Sequence, residues 1–108
     1  MSEIVIEQDD LGHIIEADPS DVIVLRLEEN LTTGYMWEVE TQGSVVELIE
    51  STHVENKGIA MGCAGVRVLR FVLKSAGSQE IHLRLRRSWD PPYKALKHLD
   101  VTIWVRQS

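Results

Sequence analysis

The chain has 108 residues, of which 44% are hydrophobic and 26% charged, and its formal net charge is −6. This length and balance predict a single globular domain spanning residues 1–108 and exclude a disordered chain. The acidic total argues against nucleic acid as a partner, and the longest apolar run, Val22–Leu25, is far shorter than the ~20 residues that cross a membrane.

Short runs rich in β-branched or alternating residues follow one another along the chain and predict β-strands. The first two are Ile4–Ile6 and Ile14–Ile15. Later runs alternate apolar and polar side chains, which gives each strand one core face and one solvent face; they are residues 22–28, 35–40, 69–74, 81–86 and 101–106. Residues 45–55 are compatible with a helical turn, but we predict a strand there.

Turn residues such as Asp18-Pro19-Ser20 and Asp90-Pro91-Pro92 separate these runs. No window shows a sustained helical period. Seven or eight short, mostly antiparallel strands in a chain of this length predict an all-β fold, an immunoglobulin-like β-sandwich.

Charge is distributed unevenly between the two halves of the sequence. Residues 1–56 hold 14 acidic and 1 basic side chains, whereas residues 57–108 hold 3 acidic and 10 basic ones. We expect the halves to pair across a sheet surface, with Arg84 and Arg86 opposite Glu38 and Glu40. The alternative is an oriented dipole that steers a charged partner.

The residues that most often carry metal or catalytic chemistry are scattered. His13, His53, His82 and His98 have no second ligand at metal-binding spacing, so we predict surface histidines and no metal site. Cys63 is the only cysteine, which excludes an internal disulfide, and no catalytic signature surrounds it. We therefore predict no enzymatic activity and no cofactor.

Three inter-strand segments have compositions that are unusual for simple connections. They are residues 30–37, the glycine-rich residues 58–65, and residues 87–92 with a tryptophan before a rigid turn. In an immunoglobulin-like sandwich such loops cluster at one end, where small residues and an aromatic anchor are typical of a protein-binding surface. The alternative is that Trp89 only caps the end of the core.

At these residues the sequence resembles the chagasin family of cysteine protease inhibitors. The family motifs are Asn-Pro-Thr-Thr-Gly-(Phe/Tyr) with a Trp two residues on, Gly-x-Gly-Gly, and Arg-Pro-(Trp/Phe). Here they read Asn30-Leu31-Thr32-Thr33-Gly34-Tyr35 with Trp37, Gly62-Cys63-Ala64-Gly65, and Arg87-Ser88-Trp89. The resemblance implies an immunoglobulin-like sandwich that inhibits papain-like peptidases, of the papain or cathepsin L type, tightly and reversibly.

The resemblance also implies a role for each loop. Thr32-Thr33-Gly34 enters the catalytic cleft as a wedge, the loop at Gly62–Gly65 lies along the non-primed subsites, and Trp89 packs on the primed side with Arg87 at the rim. The implied protease-binding residues are Asn30, Leu31, Thr32, Thr33, Gly34, Tyr35, Gly62, Cys63, Ala64, Gly65, Arg87 and Trp89.

Three positions depart from the family pattern. Leu31 and Ser88 replace prolines, which leaves both loops more flexible, and Ala64 replaces a glycine. The departures bear on potency, and they keep open an alternative function: an immunoglobulin-like interaction module that binds a non-protease protein or a glycan through the same loops.

We expect a monomer, because no large apolar face is left over. The N-terminal residues Met1–Ile4 lack the features of an export signal. The sequence as given therefore predicts a cytoplasmic protein. A periplasmic or secreted protein is expected instead if an N-terminal segment was removed.

Overall fold

The computed structural model describes residues 2–12, 14–41, 43–55 and 65–107. The strands are β1 (Glu3–Glu7), β2 (Ile14–Ala17), β3 (Val22–Glu29), β4 (Tyr35–Thr41), β5 (Val46–Val54), β6 (Gly65–Leu73), β7 (Gly77–Arg87) and β8 (Lys97–Val105). One-turn 3₁₀ helices occupy Gln8–Asp10 (η1), Leu31–Thr33 (η2) and Pro92–Lys94 (η3). The strand predicted within residues 45–55 is confirmed by β5, and over these described ranges no helix is both long and apolar enough to cross a membrane.

Two four-stranded sheets pack face to face. Their strand orders are β1-β3-β6-β5 and β2-β8-β7-β4. The central pairings are antiparallel, whereas the edge strands β1 and β2 run parallel to β3 and β8. The predicted immunoglobulin-like β-sandwich, mostly antiparallel and with eight strands, is confirmed.

The core lies between the sheets and consists of the apolar side chains that the alternation assigned to the inner faces. Its fully buried members include Ile23, Leu25, Leu27, Leu69, Phe71, Ile81, Leu83, Val101, Ile103 and Val105. Burying one such side chain stabilises the fold by roughly 1.5–3 kcal/mol, so this layer holds the sheets together.

Ion pairs on the outer faces join the acidic and basic halves of the chain. Glu38 on β4 accepts hydrogen bonds from Arg84 (Nη2–Oε1, 3.0 Å) and pairs with Arg86 (Nη2–Oε2, 2.6 Å) on the neighbouring β7. The Arg86 hydrogen bond is the main reason that the pKa of Glu38 lies below its ordinary value. The predicted pairing of Arg84 and Arg86 with Glu38 is therefore confirmed.

The strand registers bring three connections to one end of the sandwich. Glu29, the last residue of β3, lies opposite Gly65 at the start of β6, and Val54 at the end of β5 lies opposite Val66. In the other sheet, Tyr35 at the start of β4 lies opposite Arg87 at the end of β7. We call this the loop end: residues 30–34, residues 88–96, and the described ends of β5 and β6.

The loop end of the sandwich as a candidate functional site

The β3–β4 loop is held in one conformation by its own side chains. The Asn30 carboxamide oxygen accepts hydrogen bonds from the Thr32 backbone N–H (3.1 Å) and the Thr32 hydroxyl (2.6 Å), as an N-cap does. The Thr33 hydroxyl donates to the Asn30 carbonyl at 2.7 Å. Leu31, Thr32 and Thr33 all remain exposed, so the loop presents a preformed turn to solvent.

Gly34 ends this turn and lies directly under the Trp89 side chain. Its φ of +82° belongs to the left-handed region that favours glycine. A Cβ at this position would lie 2.5 Å from Trp89 Cη2 and 3.2 Å from Cζ2. The Trp89 indole therefore packs on the Gly34 backbone and joins the β7–β8 loop to the β3–β4 loop.

Trp89 does not cap the core, because 69% of its surface is exposed. The turn that carries it is closed by a hydrogen bond from the Asp90 N–H to the Arg87 carbonyl (3.1 Å). Arg86 Nη1 donates to the Asp90 carbonyl at 2.6 Å and fixes the turn against the sheet. A large aromatic side chain held in solvent by a constrained turn is typical of a binding anchor.

Arg87 joins the same two loops. Its Nε donates to the Thr33 carbonyl (3.1 Å), and its guanidinium carbon lies 4.4 Å from the centre of the Tyr35 ring and 5.8 Å from that of Trp89. Besides any contact at the rim of a partner, Arg87 thus has a role inside the loop end, where it holds the β3–β4 turn next to Trp89.

The second motif is described only at its last residue. Gly62, Cys63 and Ala64 lie outside the described residues, whereas Gly65 is the first residue of β6. A Cβ at Gly65 would lie 2.6 Å from the Val54 carbonyl oxygen and would also collide with the His53 ring. Glycine is required at position 65 because β5 and its histidine pack against the backbone there.

A buried charged cluster lies beneath the loops, and the sequence reasoning did not find it. Glu29 is only 1% exposed. Its Oε2 accepts the Trp37 backbone N–H at 2.8 Å, and its Oε1 lies 2.8 Å from Arg67 Nη2 and 2.7 Å from His53 Nδ1. Burial by itself raises the pKa of Glu29, but the hydrogen bonds from Arg67, Trp37 and His53 outweigh it and lower the pKa below its ordinary value.

A signal for this cluster was present in the alternation itself. Glu29 continues the inward-facing series of β3, and Arg67 follows Gly65 in the inward-facing series of β6. Opposite charges at inward positions of two strands indicate a buried pair once the strands are known to be neighbours.

The histidines divide into two environments. His82 and His98 are exposed, as predicted, and the hydrogen bond between His82 and Asp100 raises the pKa of His82. The prediction of a surface position is wrong for His53, which is half-buried because it binds Glu29. His13 lies outside the described residues. In the part of the chain that the structure describes, no group of three or more His, Cys, Asp and Glu side chains is arranged to hold a metal ion.

Exposed apolar side chains are concentrated at the loop end. They include Tyr93, which is 81% exposed; among the described residues of the loop end, those with exposed apolar side chains are Leu31, Val54, Trp89, Tyr93 and Leu96. Sequence reasoning did not assign Tyr93 or Leu96, although an aromatic and a leucine in a turn-rich segment were a visible signal. A concentration of exposed apolar surface is typical of a protein-binding site.

The chain matches the sequence model of a known protein family. The sequence model of the chagasin family peptidase inhibitors (I42) matches residues 16–103. That range contains all three sequence motifs. No curated protein sequence matches the chain significantly.

Solved structures with the same fold cover nearly the whole chain. The cysteine protease inhibitor EhICP2 from Entamoeba histolytica superposes with a TM-score of 0.84 at 19% identity, covering 97% of this chain and 96% of its own. Amebosin superposes with a TM-score of 0.68 at 25% identity and coverages of 96% and 98%. PbICP-C, solved in complex with falcipain-2, superposes with a TM-score of 0.64 at 13% identity and coverages of 96% and 89%.

Proposed function

We propose, because the chain belongs to the chagasin family of peptidase inhibitors, that its loop end closes the active-site cleft of a papain-like cysteine peptidase. The family inhibits peptidases, so the chain is not an enzyme. The observation that carries the proposal is the contact between the exposed Trp89 indole and the backbone of Gly34. This contact makes one continuous surface from two of the three motifs.

The β3–β4 turn is the part that enters the cleft. Thr32 and Thr33 are exposed and small, and Gly34 has no side chain, so the turn can approach a catalytic cysteine and histidine without collision. The turn offers no extended peptide segment across the catalytic groups, and the inhibitor is therefore not consumed. The hydrogen bonds that the Asn30 side chain accepts from Thr32 already fix the turn, which reduces the conformational entropy lost on binding.

Trp89 is the anchor beside the wedge. An exposed indole that becomes buried on binding is the kind of side chain that dominates protein interfaces. Tyr93 and Leu96 extend the apolar surface on the same loop. Gly62, Cys63, Ala64 and Gly65 form the third part of the surface in this proposal, on the non-primed side of the cleft. The similarity to PbICP-C, whose structure contains falcipain-2, supports a peptidase as the partner.

The test is titration of the protein against papain and a cathepsin L-type peptidase with a fluorogenic peptide substrate, followed by dilution to establish reversibility. Thr32→Lys places a long charged side chain on the wedge. Ser20→Lys, in the exposed turn before β3 at the opposite end of the sandwich, is the matched control with the same added charge.

We expect tight, reversible inhibition by the unmodified chain and by Ser20→Lys. Thr32→Lys should inhibit more weakly by a factor on the order of 100 or more, because burying an unpaired ammonium group costs several kcal/mol. No inhibition at micromolar concentration by the folded, unmodified chain would contradict the proposal and favour an interaction module for a non-protease protein or a glycan. Equal loss in both variants would exclude the loop end as the site.

A further inference from the structure

We propose that Glu29 is a positioning residue for peptidase inhibition: its buried carboxylate fixes the bases of the β3–β4 and β5–β6 connections relative to each other. The inference rests on the proposed function and adds to the motif residues one that lies beneath the binding surface.

The first step is the closure of the β3–β4 loop at its base. Glu29 is the last residue of β3, in one sheet, and Trp37 belongs to β4, an edge strand of the other sheet. The Trp37 N–H donates to Glu29 Oε2 (2.8 Å), and the Trp37 indole N–H donates to the Glu28 carbonyl (2.8 Å). These two bonds join the sheets directly below residues 30–34.

The second step is the connection to β5 and β6. The other carboxylate oxygen, Glu29 Oε1, lies 2.7 Å from His53 Nδ1 and 2.8 Å from Arg67 Nη2. Arg67 also donates from Nη1 to Ser51 Oγ at 3.3 Å. His53 and Arg67 are paired residues near the described ends of β5 and β6, so a single carboxylate contacts the bases of two connections.

Gly65 completes this arrangement. Gly65 lies opposite Glu29 in the register of β3 and β6. Because Gly65 has no Cβ, the His53 ring can lie against the Gly65 backbone. The last residue of the second motif is thus required by the same cluster that holds the first motif in place.

The chemistry of the cluster favours a positional role over a purely stabilising one. A buried ion pair is often no more stabilising than apolar side chains of similar size. Hydrogen bonds to fixed oxygen atoms, however, allow only one relative placement of the strands, whereas apolar side chains tolerate small displacements. If the loops held their binding conformation for a smaller fraction of the time, the apparent association rate would fall in proportion.

The test separates position from stability with a double variant. Glu29→Met together with Arg67→Met removes both charges and leaves neither one buried alone. Because the buried Trp37 N–H loses its acceptor in this variant, we expect a lower urea midpoint, so the stability loss has to be controlled for. Val105→Ala, a buried position at the opposite end of the sandwich, is the control for stability loss alone.

Two measurements are made on each protein: the association rate with papain, and amide hydrogen exchange of the free inhibitor at residues 31–34. For Glu29→Met/Arg67→Met we expect association with papain to be about tenfold slower or more, because the fraction of molecules with their loops in the binding conformation falls by the same factor. We also expect faster amide exchange at Thr33 and Gly34. Val105→Ala should lower the urea midpoint without changing either quantity.

The inference would be overturned if the folded double variant associated with papain as fast as the unmodified chain and showed the same amide exchange rates at residues 31–34. If the unmodified chain fails to inhibit papain, the proposed function fails by itself. The exchange measurement then still decides whether Glu29 positions the loop: unchanged exchange at residues 31–34 counts against it, and faster exchange supports it.

Discussion

Replacing Gly34 with alanine tests whether contact between the two loops determines inhibition. Gly34 has a φ of +82°, and an added Cβ would lie 2.5 Å from Trp89 Cη2. Two separate effects follow, namely backbone strain at Gly34 and displacement of the Trp89 indole.

The two effects fall on different measured quantities. Placing alanine in the left-handed region costs about 1–2 kcal/mol, and this cost lowers the free energy of unfolding. It is the same in the free and the bound inhibitor, so it cancels in the inhibition constant. The collision is relieved by rotation of Trp89, because the indole is mostly exposed and little packing opposes the movement.

Loss of a well-placed aromatic anchor costs on the order of 2 kcal/mol of binding, or about a 30-fold increase in the inhibition constant. We therefore expect Gly34→Ala to destabilise the fold by about 1–2 kcal/mol and to inhibit papain as weakly as a variant that lacks the indole.

The assay is inhibition of papain at several inhibitor concentrations, together with urea unfolding. Gly77→Ala is the matched control: its φ of +127° is also unfavourable for alanine, but the added Cβ would make only an ordinary 3.5 Å contact with Val45, at the other end of the sandwich. It should lose stability and keep its inhibition constant. If Gly34→Ala inhibits as well as the unmodified chain, the argument that Gly34 sets the position of Trp89 is refuted.

Three further predictions follow from the same geometry. Trp89→Ala should raise the inhibition constant by about 30-fold, equivalent to ~2 kcal/mol, and leave the urea midpoint unchanged, because the side chain is exposed; an unchanged inhibition constant would remove Trp89 from the binding surface. Leu31→Pro should tighten inhibition about two- to fivefold by stiffening the free loop, because Leu31 begins η2 and the extended backbone of Asn30 suits a residue before proline; weaker inhibition would show that the Leu31 N–H is needed. Acid should destabilise the fold through Glu29: its pKa is lowered in the folded state, so its contribution is complete above the ordinary pKa and is lost as the pH falls through the folded value. The free energy of unfolding, measured with urea at a series of pH values, should therefore fall more steeply below about pH 4.5 for the unmodified chain than for Glu29→Gln. Equal pH dependence in the two proteins would contradict this role of Glu29.

The sequence by itself determined the strands, their inner faces and the candidate binding loops. Alternation is a local property, since successive side chains of a strand point to opposite faces whatever the strand pairs with. For the same reason Ile81, Leu83 and Leu85 could be placed in the core, and Arg84 and Arg86 on the outer face, before any pairing was known. The three motifs could be read from the sequence because each is a short contiguous segment.

Only the tertiary structure decided what lies next to what. Three features join residues that are far apart in the chain. They are the parallel pairing of β1 with β3 and of β2 with β8, the packing of the Trp89 indole on Gly34, and the contact of Glu29 with His53 and Arg67. Such contacts depend on strand order and register, which alternation leaves open because several pairings bury the same inner faces. The buried carboxylate could be recognised only after β3, β5 and β6 were placed side by side, since a charge at an inward position is tolerated only with its partner beside it.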